Sequence, residues 1–209
     1  MKEYKTIEKE VTVEFTEKRS RFLGHIKPVK TEQEAIDFIN EKREKYWDAS
    51  HNVYAYSLKE GNIKRYTDDG EPSGTAGVPI LDIIIKEELF DLVVVVTRYF
   101  GGILLGTGGL VHAYSKGAAD AIKESEIIIM EPCDKVFLNC NYSLYGKIQN
   151  IVNNLEGKIE NTVFTDSVDI YIVIPCSTTE KLRKEITAAS SGSINIDITE
   201  TLFCKKVIK

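Results

Sequence analysis

Residues 98–110 read RYFGGILLGTGGL and hold five of the chain's 14 glycines, one residue after the apolar run LVVVV. A strand that enters a glycine-rich turn and then a helix N-terminus leaves backbone N–H groups pointing outward. The helix dipole favours negative charge there, so the chemistry of such a stretch is anion binding. Its spelling departs from the known phosphate motifs. Gly101-x-x-x-x-Gly106 is followed by Thr107-Gly108 with no lysine, and Gly106-x-Gly108-x-x-Val111 lacks the third glycine of the dinucleotide fingerprint. The same glycines would also let a helix over residues 109–124 pack tightly across a sheet. Asp68-Asp69-Gly70-Glu71 offers three carboxylates, but without the spacing of a calcium loop it reads as turn and capping chemistry. His51 has the chemistry of a general base, yet no nucleophile and orienting carboxylate stand at a recognisable spacing from it. It reads as a histidine opening a strand, and His25 and His112 carry no further signal. Cys133, Cys140, Cys176 and Cys204 form no C-x-x-C and lie far in sequence from the three histidines. No catalytic residue, metal site or cofactor is therefore expected, and the cysteines read as buried reduced thiols of a cytoplasmic protein.

The elements that must position these residues follow from periodicity. Of the 209 residues 43% are hydrophobic, ordinary for a globular chain, and the formal net charge of −5 speaks against a generic polyanion binder. MKEYKTIEKEVTVEF is charged from its start, so no signal peptide is expected, and the longest apolar runs are too short to span a bilayer. VTVEF and RFLGHIKPV read as strands. Thr31-Glu-Gln-Glu34 is a capping box that opens a helix whose stripe continues to Tyr46 and Trp47. HNVYAYSL and IKRYT make a hairpin around residues 59–62, and residues 67–79 form a structured loop leading into a helix with Pro79 in its first turn. After LVVVVTRYF and its glycines, Leu110, Val111, Tyr114, Ala118, Ala121 and Ile122 give one apolar helical stripe. From Lys135 the order is strand, helix, strand, strand, helix, strand, the ferredoxin-like βαββαβ arrangement. Pro132 marks the boundary, giving domains 1–131 and 132–209 and an α+β fold class.

SRFLGHI (20–26), SHNVYAY (50–56), RYTDDGEPSGTAGVPIL (65–81) and VVVVTRYFGGILLGTGGLVHAYSKGA (93–118) together resemble the IMPACT family, in its bacterial YigZ-type branch. The resemblance extends over nearly the whole chain. It implies an N-terminal domain like domain 2 of ribosomal protein S5, a two-layer α/β fold with a left-handed βαβ unit. The ferredoxin-like domain after it resembles a terminal domain of elongation factor G. The family's recurring polar positions fall on Arg21, His51, Asp68, Asp69, Glu71, Ser73, Thr75, Arg98 and Tyr99. His112 and Val78 stand where relatives commonly carry a cation, which removes permanent positive charge beside the glycine loop.

The eukaryotic members act in translational control. The resemblance therefore implies a non-enzymatic regulator that binds RNA, the ribosome or a protein partner in translation. Arg21, Arg65, Arg98, Tyr99, Gly101, Gly102, Gly108 and Gly109 would form the anion or nucleic-acid site, with the three arginines sharing one edge. The polar residues His51, Asp68, Asp69, Glu71, Ser73, Thr75 and His112 would line a cleft, with Arg98 against Asp69. The alternative is an enzyme or sensor for a small anionic metabolite at the glycine loop. A basic groove would favour RNA, and a closed pocket beside Arg98 would favour the metabolite.

Overall fold

The structure is a computed structural model and describes residues 1–206. Its compact units are Tyr4–Ile129 and, from Met130 onward, the C-terminal part together with Met1–Glu3.

The first unit contains β1 (Tyr4–Ile7), β2 (Val11–Glu17), β3 (Ser20–Pro28), α1 (Glu32–Lys45), β4 (His51–Ser57), β5 (Lys64–Thr67), α2 (Gly77–Lys86), β6 (Leu92–Tyr99) and α3 (Gly106–Ser125). Five strands form one sheet in the order β2-β3-β6-β4-β5, every neighbouring pair antiparallel. The unbroken LVVVV run makes β6 the central strand, because a strand covered on both faces needs no polar alternation. Val93 and Val95 pack with Ala35, Phe38 and Ile39 of α1. Val94 and Val96 pack with Ile80 and Ile84 of α2 and with Ala113, Tyr114 and Ala118 of α3. The sheet is thus covered on both faces, where the family resemblance implies two layers.

Thr31 Oγ1 accepts from Glu34 N at 3.2 Å, and Glu34 Oε2 accepts from Lys30 N at 2.6 Å, which fixes the start of α1. The helix stops at Lys45, earlier than the stripe through Trp47 predicts. Tyr46 turns back to stack on His25 with ring centroids 4.9 Å apart, and Trp47 is left 81% exposed. At the other end, α3 begins at Gly106 rather than at 109, so Gly108 joins Gly109 in its first turn.

The second unit contains most of β7 (Ile127–Cys140), then α4 (Tyr142–Asn154), β8 (Lys158–Phe164), β9 (Val168–Pro175), α5 (Thr179–Ser190) and β10 (Ile196–Lys205). Its strands pair antiparallel in the order β10-β7-β9-β8, the ferredoxin-like pattern. Leu138, Ile148, Val152, Ile170, Leu182 and Ile186 centre its core. Pro132 does not interrupt the chain: it lies inside β7, opposite Phe203 of β10. Asp134 is buried in this sheet and accepts from Thr179 Oγ1 and Thr201 Oγ1, each at 2.7 Å, and from the Cys176 thiol. Burial acts to raise its pKa, but these hydrogen bonds outweigh it and hold the carboxyl below its ordinary range. Among the described residues, no helix is long and apolar enough to cross a membrane.

Candidate functional site

Register places the site. Arg98, near the end of β6, lies opposite His51 at the start of β4, and Phe22 of β3 flanks Arg98 on the other side. The loop between β5 and α2 then closes over the end of the sheet, and its acidic residues hold it there. Asp68 Oδ1 accepts from Gly77 N at 2.8 Å and Ala76 N at 3.2 Å, while Oδ2 accepts from Gly74 N at 2.9 Å. Its carboxylate therefore sits on the N-terminus of α2, where the dipole favours it. Asp69 Oδ2 accepts from Asn52 N at 2.6 Å, and Oδ1 pairs with Arg43 at 3.0 Å. Asp68 thus does the capping work expected of it, whereas Asp69 ties the start of β4 to α1. Thr75 Oγ1 donates to Pro72 O at 2.6 Å inside the same loop, and Ser73 is exposed.

Fixing that loop carries Glu71 inward. Arg98 Nη1 donates to Glu71 Oε1 at 2.6 Å, and both side chains are almost fully buried. The expected partner was Asp69; the structure gives Arg98 to Glu71 and Asp69 to Arg43. Tyr114 of α3 donates its hydroxyl to the same Oε1 at 2.7 Å. Burial, then the charge and hydrogen bond of Glu71, push the Tyr114 phenol far above its ordinary range, so it remains a donor. The Arg98 guanidinium also lies over the rings of Phe22 and Phe100, 5.6 and 5.5 Å from their centroids.

His51 completes the polar wall. Its Nδ1 stands 2.8 Å from the Asp69 carbonyl. A carbonyl only accepts, so Nδ1 carries a proton, and Nε2 stands 3.7 Å from Glu71 Oε1.

A cavity of about 520 Å³ opens beside these groups, lined by Ser50, His51, Glu71, Pro72, Arg98, Phe100, Leu104, Leu105, Gly106, Thr107 and Leu110. The RYFGG segment contributes Arg98 and Phe100 to it and the TDDGEPSGTAG loop Glu71 and Pro72, while of the seven polar residues expected in a cleft only His51 and Glu71 line it. Its far wall is the first turn of α3, which has no side-chain cap. Gly101 is required nearby for close approach, since a Cβ there would collide with the backbone of Arg19 in the β2–β3 turn. Gly106 has φ +73°, a conformation that glycine adopts without strain.

The other expected residues are dispersed. Arg21 is held by Glu14 through two bonds of 2.7 and 2.9 Å, and its guanidinium lies over the Tyr99 ring. The Tyr99 hydroxyl donates to Asp48 at 2.8 Å. Arg65 pairs with Tyr56 on β4, towards the opposite end of the strand from His51, so the three arginines do not share an edge. Gly108 and Gly109 line the start of α3 outside the cavity, Gly102 lies in the preceding turn, and His112 is exposed. Sequence reasoning missed Tyr114, whose place in the apolar stripe hid its hydroxyl's role, and the apolar wall of Phe100, Leu104 and Leu105. Among the described residues no group of three His, Cys, Asp or Glu side chains could hold a metal.

Comparison with known proteins places this geometry in a family. Residues 18–122 match the model of the Impact N-terminal domain, and residues 138–193 match a domain of unknown function, DUF1949. The chain is 33% identical to the IMPACT family member YvyE of Bacillus subtilis, over 98% of this chain and 95% of that protein. It is 31% identical to the IMPACT family member YigZ of Escherichia coli, over 89% and 93% of the two chains. A solved structure titled as that of an hypothetical protein matches with a TM-score of 0.63 at 30% identity, covering 96% of this chain and 98% of its own. With a matching N-terminal domain around the Arg98–Glu71 pair and full-length relatives on both sides, the chain belongs to the IMPACT family.

Proposed function

We propose that this chain is a non-enzymatic regulator in translation whose signal is a small organic ligand held in the cavity beside Arg98. The role in translation follows the resemblance to eukaryotic IMPACT proteins; the ligand reading rests on the cavity. Its volume of about 520 Å³ is in the range of small-molecule sites, and mostly apolar walls converging on a few oriented polar groups are how such sites are built.

Direct grip on RNA or the ribosome is carried less well by the same geometry. Phosphate contacts normally dominate nucleic-acid affinity. Here Arg98 is buried against Glu71 and Arg21 is held by Glu14, while the whole chain carries a net charge of −5.

The test is ligand-induced stabilisation. An apolar fragment such as 2-phenylethanol at about 100 times its Kd is expected to add about 2.7 kcal/mol of stability and raise the melting temperature by several degrees. Leu104→Asp, at a position 83% exposed on the cavity rim, is expected to remove that shift without lowering the basal melting temperature. Absence of any shift, combined with co-sedimentation with ribosomes at physiological salt, would favour the RNA reading instead.

A further inference from the structure

The polar end of the cavity holds two opposite charges against each other, and each keeps one atom unused. Arg98 is 5% exposed, and its Nε is buried with no hydrogen-bond partner. Buried donors are almost always paired, so this orphan, on a residue that lines the cavity, leaves the guanidinium with hydrogen-bonding capacity that Glu71 does not use. Glu71 is 8% exposed, and Oε1 takes both of its hydrogen bonds, from Arg98 and Tyr114. Among the described residues nothing donates to Oε2, which is not sealed from solvent. Two further groups stand beside this pair. His51 Nε2 stands 3.7 Å from Glu71 Oε1, and Gly106 and Thr107 bring the uncapped, electropositive start of α3 to the cavity wall.

Acceptors and donors therefore sit side by side, on a pair whose charges cancel. A ligand that is a net anion meets the Glu71 carboxylate, and a net cation meets the Arg98 guanidinium. A ligand carrying both charges on neighbouring atoms meets neither penalty. We infer that the cavity is built for a zwitterion of the α-amino-acid type with an apolar side chain. The ammonium faces Glu71 Oε2 beside the His51 ring, the carboxylate faces the Arg98 guanidinium and the start of α3, and the side chain lies against Phe100, Leu104 and Leu105. This inference rests on the reading that the cavity takes a ligand, and it replaces the anionic class expected from the glycines with a net-neutral one.

The test is calorimetric titration of the full chain with four probes that share one ring. L-Phenylalanine carries both charges, 3-phenylpropanoate lacks the ammonium, phenethylamine lacks the carboxylate, and 2-phenylethanol lacks both. L-Phenylalanine is expected to bind at least about ten-fold more tightly than each of the others, the ratio that about 1.4 kcal/mol per correctly met charge gives. Glu71→Gln is expected to abolish its advantage over 3-phenylpropanoate while leaving 2-phenylethanol unchanged. Should that variant fail to fold, since Glu71 also holds Arg98 and Tyr114, His51→Ala at a partly exposed ring is expected to reduce the same advantage several-fold. Equal binding of all four probes would overturn the zwitterion and leave the apolar-ligand reading standing. Tighter binding of 3-phenylpropanoate than of L-phenylalanine would overturn it in favour of an anion. No binding by any probe would overturn both readings.

Discussion

Arg98 and Glu71 are each the reason the other can be buried. Breaking a buried ion pair by removing one partner leaves an uncompensated charge, which typically costs about 3–5 kcal/mol. Arg98→Met is therefore expected to lower the urea-derived stability by about that much. Tyr114→Phe, which removes one donor to the same oxygen, is expected to cost about 1–3 kcal/mol. The double variant Arg98→Met/Glu71→Gln should recover part of the single-variant loss, because no charge is then left unpaired. A second buried group sets a pH dependence. Thr97 Oγ1 donates to Asn52 Oδ1 at 2.7 Å, so it accepts from His25 Nε2, and Thr12 Oγ1 meets Nδ1 at 3.0 Å. Burial, followed by the charges of Lys42 and Lys45, lowers the His25 pKa from 6.5 to about 4. The unfolded chain then takes up this proton before the folded one does. Stability is expected to fall as pH drops from about 6.5 towards about 4, by up to ~3 kcal/mol, and His25→Gln should flatten the upper part of that window.

Among the elements, α3 shows how the glycines divide their work. Gly24 of β3 faces Gly117 of α3 so closely that a Cβ on Gly24 would collide with the Gly117 carbonyl, whereas a Cβ on Gly108 would meet nothing within 4 Å. Gly24→Ala is thus expected to destabilise by about 3 kcal/mol. Gly108→Ala, in an open helical turn, should stabilise by about 0.5–1 kcal/mol. Opposite signs in thermal melts check both. The tight helix packing open to the 98–110 glycines from sequence is carried instead by the Gly24–Gly117 contact, while Gly101 makes room for the β2–β3 turn. The elements themselves were largely legible. The valine run of β6, the capping box of α1 and the βαββαβ order all follow from local pattern. What local pattern missed depends on tertiary contacts: Tyr46 leaves its helix to stack on His25, and Pro132 is tolerated within β7.

For the whole molecule, the sequence located the loops of the site but not their pairings. Asp68, Asp69 and Glu71 look alike in a row, yet one caps α2, one ties β4 to α1 and one is buried against Arg98. Only the path of the chain decides which carboxylate meets which cation, so a cavity of paired rather than free charges was not readable in advance. The same pairing bears on nucleic acid. Each phosphate contact to a single strand contributes about −0.7 to the log–log salt slope. With Arg21 and Arg98 engaged, binding to a fluorescent oligouridylate is expected to be weak and its slope shallower than about −1. The central claim, a ligand held beside Arg98, is tested most directly by methyl NMR of leucine-labelled full-length chain titrated with L-phenylalanine and 2-phenylethanol. The account predicts saturable shifts at the methyls of Leu104, Leu105 and Leu110, while Leu138 and Leu182 in the second core stay in place. No saturable shift at those three leucines with either probe, or equal shifts in both cores, would contradict it.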